Sequence, residues 1–257
     1  MRALVLAAGM GKRLAPLTEE RPKGLLELGG RSLLARLLDG LQAAGVAETA
    51  VVVGYHQEQI RAHLGNSHRG MPVRYLENAA YTKGPLLSLW TGRAGFLQDD
   101  VVLADGDVLF APALLARVVQ APEPNVFLGE PQFVDTGEEQ NLYLRAGPKA
   151  EGRRQVVALR RGVMGLPDVP FESRAEWVGF VKVGRAAGAE LVATLDAFVR
   201  EGRTEGDYEA TLDLVLRRHP FVAISTAGLP WIEIDFPQDL QAAESEILPR
   251  IRRLDGD

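Results

Sequence analysis

Arg2-Ala3-Leu4-Val5-Leu6-Ala7-Ala8-Gly9-Met10-Gly11-Lys12-Arg13 opens the chain. The run from Arg2 to Ala8 is short and apolar, as a strand covered on both faces must be. Gly9-Met10-Gly11 then punctuates it as a turn. A strand entering a glycine turn has three common readings. The Walker A loop needs Ser or Thr after its Gly-Lys, and Arg13 follows Lys12 here. The dinucleotide fingerprint needs a third glycine where Leu14 stands, and an acid closing the second strand where Gly54 and Tyr55 stand. What remains is a glycine loop with two adjacent cations, Lys12 and Arg13, and Lys23 ten residues on. Glycines let backbone N–H groups approach a phosphate closely, and the cations offset its charge. The plain alternative is a basic turn that only faces solvent.

Outward from this loop, strands and helices alternate. Ser32 reads as an N-cap ahead of Leu33, Leu34, Leu37, Leu38 and Leu41, an apolar stripe at helical spacing that stops at Gly45. A strand over Ala50 to Val53, a helix over Gln57 to Leu64 and a strand over Pro72 to Leu76 follow. A helix over Leu86 to Phe96 precedes a strand, Val101 to Ala104, that runs into Asp105-Gly106-Asp107, and a helix spans Pro112 to Gln120. From about Phe127 to Trp177 the pattern is less regular and richer in charge, which predicts an inserted β-hairpin or lid with Arg160-Arg161-Gly162 on a turn. The alternation resumes with a strand at Val178 to Val183, helices near Leu191 to Arg200 and Tyr208 to Arg218, a strand at Val222 to Ser225 and a helix from Pro237. This order predicts an α/β fold, a parallel sheet covered by helices, organised as one domain over residues 1–257.

Composition bounds the function classes. The 257 residues carry a net charge of −5 and 7% aromatic residues, which argues against a surface that grips nucleic acid throughout. There is no cysteine, so disulfides and thiolate-held zinc or iron–sulfur centres are excluded. Hydrophobic runs are short and broken, and the N-terminus lacks a signal-peptide pattern, which predicts a cytoplasmic protein with no membrane partner. Charge is unevenly placed: residues 1–36 hold seven basic and three acidic side chains, net +4, and the remainder sums to −9. Arginine outnumbers lysine 24 to 5, and the lysines are Lys12, Lys23, Lys83, Lys149 and Lys182.

The stretch from Leu6 to Leu14, then Pro16-Leu17-Thr18, Pro22-Lys23 and Leu25-Leu26-Glu27-Leu28, resembles the opening signature of the sugar-phosphate and choline-phosphate nucleotidyltransferases. Gly129-Glu130-Pro131-Gln132-Phe133-Val134-Asp135 is similar to inositol-phosphate cytidylyltransferases. Tyr208-Glu209-Ala210, Leu229-Pro230-Trp231-Ile232-Glu233-Ile234-Asp235 and Asp239-Leu240 are similar to the C-terminal half of phosphocholine-type cytidylyltransferases. The resemblance implies a Rossmann-like mixed, mostly parallel sheet sandwiched by helices, and transfer of a nucleotidyl group from an NTP to a phosphorylated acceptor with release of pyrophosphate. It places the nucleotide on Leu6, Ala7, Ala8, Gly9, Met10, Gly11, Lys12, Arg13, Lys83, Gly84, Ser88 and Asp105, with Arg13 on the leaving pyrophosphate and Lys23 at the α-phosphate. It implies Mg²⁺ on Asp107 and Asp235, and an acceptor facing Glu176 and Glu209. Pro85-Leu86-Leu87 fits neither the cytidylyl nor the thymidylyl pattern and leaves the base open, and the overall resemblance favours CTP with a small phosphorylated alcohol or phosphonate over dTTP or UTP with a hexose-1-phosphate.

The chemistry agrees with such a residue set. A phosphate monoester has a second pKa of about 6, so the nucleophile is already dianionic near neutrality and no strong base is required. His56, His63, His68 and His219 are scattered accordingly. The difficulty is bringing two anions together, which calls for Mg²⁺, lysine and arginine. Trp177, Tyr208 and Trp231 are core candidates, yet each adjoins an acid, Glu176, Glu209 or Glu233. Acid beside aromatic suits a cationic amino-alcohol head group on a phosphate or phosphonate, placing Tyr208, Trp231 and Glu233 with the acceptor. A hexose-1-phosphate nucleotidyltransferase is the alternative enzyme, and a non-catalytic nucleotide-binding regulatory protein the alternative class. A monomer or a homodimer fits either.

Overall fold

The computed structural model describes residues 1–147, 152–162 and 165–256, so Lys149 and parts of the 127–177 segment lie outside it. The opening run is β1 (Arg2–Leu6). Ala7 and Ala8 have already left the strand, although the Ala7 N–H still donates to the Val52 carbonyl at 2.9 Å. A short ladder of β2 (Glu27–Leu28) and β3 (Arg31–Ser32) leads into α1 (Leu33–Ala43), and Ser32 Oγ accepts from the Ala35 N–H at 3.2 Å as the predicted cap. β4 (Thr49–Val53), α2 (Gln57–Leu64), β5 (Ser67–His68), β6 (Met71–Glu77) and α3 (Pro85–Gly92) follow. Next come β7 (Val101–Asp105), β8 (Val108–Phe110), α4 (Pro112–Gln120), β9 (Val126–Glu130), β10 (Gln140–Ala146), β11 (Arg153–Arg161) and β12 (Ser173–Val183). The chain closes with α5 (Arg185–Arg200), α6 (Glu209–Leu216), β13 (Phe221–Ser225), β14 (Trp231–Glu233), α7 (Pro237–Ala242) and α8 (Leu248–Asp255).

Ten strands form one sheet in the order β10-β11-β13-β9-β12-β7-β1-β4-β6-β5. β5, β11 and β12 run opposite to the other seven, which gives the mixed, mostly parallel α/β sheet. Its two faces bury separate apolar layers by strand alternation. Leu4, Leu103 and Val181 point to one layer, and Val5, Val102 and Phe180 to the other. A third cluster, with Leu14, Leu28, Leu33, Leu109, Ile234 and Ile251, joins the segment after the glycine turn to α8. No helix among the described residues is long and apolar enough to cross a membrane.

The irregular segment differs from its sequence reading. β9 lies inside the sheet, and the β10–β11 hairpin bends round so that β10 also pairs with β12. β10, β11, β13, β9 and β12 thus close into a ring. Charged residues on the outer side of these strands hid the apolar alternation. Arg160 and Arg161 belong to β11 rather than to a turn. α5 starts earlier than its apolar stripe suggested, because Ala186, Ala187 and Ala189 extend the helix without large side chains.

β12 carries a register shift between Trp177 and Val181, with Gly179 at φ 82°. A Cβ there would lie 3.1 Å from Asp105 Oδ2. Gly179→Ala is therefore expected to cost about 1–3 kcal/mol through strain at positive φ and displacement of Asp105. Urea unfolding should show a lower midpoint; an unchanged midpoint would remove this account of the bulge.

Candidate active site

β1 and β7 end side by side, with Leu6 the register partner of Asp105, and their loops open on one edge of the sheet. After β1 the chain needs a left-handed residue, supplied by Gly11 at φ 60°. A Cβ at that position would stand 3.1 Å from Lys23 Cβ, so the glycine also admits the lysine. Thr18 Oγ1 ties the loop by donating to the Gly11 carbonyl at 2.8 Å.

Asp107 and Asp235 converge by a different route from the shared strand ends that a parallel sheet suggests. β14 pairs antiparallel with β8, outside the large sheet, setting Glu233 opposite Val108. The Ile234 N–H then donates to the Asp107 carbonyl at 3.0 Å. Asp239 Oδ2 accepts from the Asp235 and Phe236 N–H groups at 2.9 and 2.6 Å, fixing the turn into α7. Lys23 Nζ bridges the pair, 2.9 Å from Asp107 Oδ2 and 2.6 Å from Asp235 Oδ1. Arg13 donates to Asp235 Oδ2 at 2.7 Å, its guanidinium 4.9 Å from the Phe236 ring centroid. Burial opposes the Lys23 charge, but Asp107 and Asp235 outweigh it and hold the ammonium above the ordinary lysine range.

Oxygens of Asp107, Glu233 and Asp235 lie within 4.8 Å of one another, a grouping that could hold a metal ion. Asp107 Oδ1 is buried without a hydrogen-bond partner, which fits a hard cation. Glu233 keeps an exposed flank; loss of water at the carboxylate, then repulsion from Asp107 and Asp235, pushes its carboxyl upward.

A cleft of about 430 Å³ runs over these groups, lined among others by Leu6, Ala7, Gly9, Gly11, Lys12 and Arg13. Asp105 forms its floor, accepting from the Tyr208 hydroxyl at 3.0 and 3.1 Å; burial, then Asp107 and Glu209, raises its carboxyl well above the usual range. Ala8 is buried and Met10 half-buried, and neither lines the cleft. Lys83 and Gly84 do not line it either, whereas their neighbour Pro85 does. Ser88 is buried and accepts from Asn78 Nδ2 at 3.0 Å, so the structure shows it as a packing partner. Glu209 lines the cleft with Oε2 unpartnered, and burial, then Asp207, pushes its carboxyl up to about 8.

Beyond the Lys23 cluster opens a second cavity of about 660 Å³, reached by Trp231, Glu233 and Glu176. Tyr208 does not line it; it is 2% exposed beneath Asp105, packed edge-on against the buried Trp177. Glu130, to which the sequence reading assigned no role, lines this cavity and is the cross-strand partner of Glu176. Its Oε2 accepts from Thr226 Oγ1 at 2.6 Å and Trp231 Nε1 at 3.5 Å. Burial, then Glu139, Glu130 and Asp135, pushes the Glu176 carboxyl up to about 7. Phe133, Glu139 and Phe236 also line the cavity. The sequence signals for Glu130 were an acid closing an apolar strand and its place in the 129–135 motif.

A family model described as a MobA-like NTP transferase domain matches residues 3–162. The chain belongs to that family. A CMP-5'-(3-aminopropyl)phosphonate synthase from Streptomyces rubellomurinus is 30% identical over 97% of this chain, which spans 39% of that protein's length. A CTP:phosphoglutamine cytidylyltransferase from Campylobacter jejuni is 26% identical over 94% of this chain and 98% of its own. Among solved structures, CTP:phosphocholine cytidylyltransferase from Streptococcus pneumoniae superposes with a TM-score of 0.71 at 20% identity, covering 96% of this chain and 98% of that one, a likeness of fold. The family match ends at Gly162, so Glu176, Trp231, Glu233 and Asp235 reach the site from beyond it.

Removing the shared cation should leave Asp107 and Asp235 facing each other. Lys23→Ala is expected to destabilise the protein by about 1–3 kcal/mol, and Asp235→Asn in the same chain to recover part of that loss. Thermal melts of both single variants and the double variant test the coupling; strictly additive effects would contradict it.

Proposed function

We propose that the chain is a nucleotidyltransferase that moves a cytidylyl group from CTP to a small phosphate or phosphonate bearing a cationic group, releasing pyrophosphate. The observation that carries this reading is the cavity beside the Lys23 cluster, where Glu130 and Glu176 face each other across neighbouring strands between aromatic walls. Like charges directly opposite on a sheet are unfavourable, and neither acid has an ion-pair partner among the described residues. A bound cation relieves that repulsion, and Trp231 offers it an aromatic wall. A relative that synthesises CMP-5'-(3-aminopropyl)phosphonate and one that is a CTP:phosphoglutamine cytidylyltransferase support the choice of base and acceptor.

In this reading an acceptor phosphate oxygen attacks the α-phosphorus of CTP, a new P–O bond forms, and the bond to the β-phosphate oxygen breaks. The acceptor is already ionised, so no general base is used. Lys23 and Arg13 neutralise charge around the α-phosphate and the departing pyrophosphate, exchanging their contacts to Asp107 and Asp235 for phosphate oxygens. Lys12 and the Gly9–Gly11 backbone receive the remaining phosphates. Asp107 and Asp235, with Glu233, would hold Mg²⁺, which supplies Lewis-acid charge neutralisation on the phosphates.

A panel crossing CTP, UTP, dTTP and ATP with phosphocholine, 2-aminoethylphosphonate and glucose-1-phosphate, read by pyrophosphate release, tests base and acceptor. CTP with a cationic acceptor should dominate; a preference for glucose-1-phosphate would favour the hexose reading.

The Glu176 carboxyl titrates at about 7 and carries its charge only above that value. KM for a cationic acceptor, taken relative to a neutral one, should therefore fall between pH 6 and pH 8. Glu176→Gln should flatten this dependence, and a slope that survives the substitution would assign it to another group.

A further inference from the structure

The second cavity contains more than a cation site. At about 660 Å³ it exceeds the 430 Å³ cleft over the glycine loop, and its lining carries charges of both signs. Glu130, Glu139 and Glu176 supply carboxylates, whereas Arg13, Arg161 and Arg250 supply guanidinium groups. Two of these arginines are already engaged. Arg13 lies on Asp235 at 2.7 Å, and Arg161 on Glu138 at 2.6 Å and Asp207 at 3.6 Å. Arg250, from α8, has no carboxylate partner among the described residues; its one hydrogen bond there is a long 3.5 Å contact from Nη2 to the Gly228 carbonyl. Asp239, another acid of the cavity lining, has Oδ2 engaged by the Asp235 and Phe236 N–H groups. A guanidinium with its fork free, on the wall of a cavity that otherwise attracts cations, is suited to a planar carboxylate.

We propose that the cavity takes a zwitterionic acceptor, in which a short chain joins the phosphate or phosphonate to both an ammonium and a carboxylate, with Arg250 binding the carboxylate. This rests on the nucleotidyltransfer reading and narrows its substrate class to phosphorylated or phosphono amino acids. The ammonium lies toward Glu130 and Glu176, and the phosphorus end faces the Lys23 cluster. Arg250 is then a specificity-determining residue that acts on binding, away from the reacting atoms.

The test is a matched pair: 2-aminoethylphosphonate and 2-amino-3-phosphonopropionate, which differ by one carboxylate on the amine-bearing carbon. With CTP, kcat/KM should be about tenfold or more higher for the carboxylate-bearing compound, mainly through KM. Arg250→Ala should abolish the preference and Arg250→Lys should retain part of it, because a point charge replaces the fork. Equal kcat/KM for the two compounds, or a preference that survives Arg250→Ala, overturns the proposal. Calorimetric titration of each compound into the protein separates the two readings. Tighter, Arg250-dependent binding of the carboxylate-bearing compound without turnover would sustain the acceptor class and defeat the cytidylyl reaction. Equal affinities would defeat the acceptor class whatever the turnover.

Discussion

One ammonium group organises the site. Lys23 Nζ sits between two carboxylates that belong to segments more than a hundred residues apart, and without it the β8–β14 ladder would bring Asp107 and Asp235 together as bare like charges. Its contacts are strong because the group is largely withdrawn from water, and exchangeable because a phosphate offers the same partner chemistry. A lysine suits this role better than an arginine: its compact charge can shift from carboxylate to phosphate without realigning a planar fork.

Arg13, Asp107 and Asp235 each adjoin a buried apolar residue in sequence. Leu14 follows Arg13 and Val108 follows Asp107, while Ile234 precedes Asp235, and all three are almost fully buried. Buried neighbours of this kind fix the backbone and leave the polar ends to the cleft. Preorganisation of charge is thus paid for by the hydrophobic clusters rather than by the charges themselves.

Much of the central sheet could be read from apolar runs ending in glycine or aspartate, since strands buried on both faces need no polar face. The Lys12–Arg13 loop, Asp107 and Asp235 were legible for the same reason, as charges just past apolar runs, whereas Lys23 was legible through its place ten residues after the loop and the family resemblance. The β10–β11 hairpin and its closure onto β12 were not, because these two strands carry arginines and other polar side chains that dilute the apolar alternation. Ser88 looked like a ligand-facing hydroxyl, and nothing in its neighbourhood announced that Asn78, ten residues back, would claim it. Tyr208 and Trp231 looked alike as aromatics beside acids; only the tertiary packing sends one beneath Asp105 and the other to the cavity wall.

The five-stranded ring has an evolutionary consequence. Because β10 pairs with both β11 and β12, this end of the sheet exposes no free edge. Glu130 and Glu176 lie on a closed strip of backbone hydrogen bonds, while the Gly9–Arg13 loop and the β8–β14 ladder lie outside it. Side chains on the ring can therefore be exchanged for others while Lys23 keeps its two partners. Such a division lets the ring side of the cavity vary without disturbing the Lys23 cluster, while Trp231 and Arg250 reach the same cavity from β14 and α8 outside the ring.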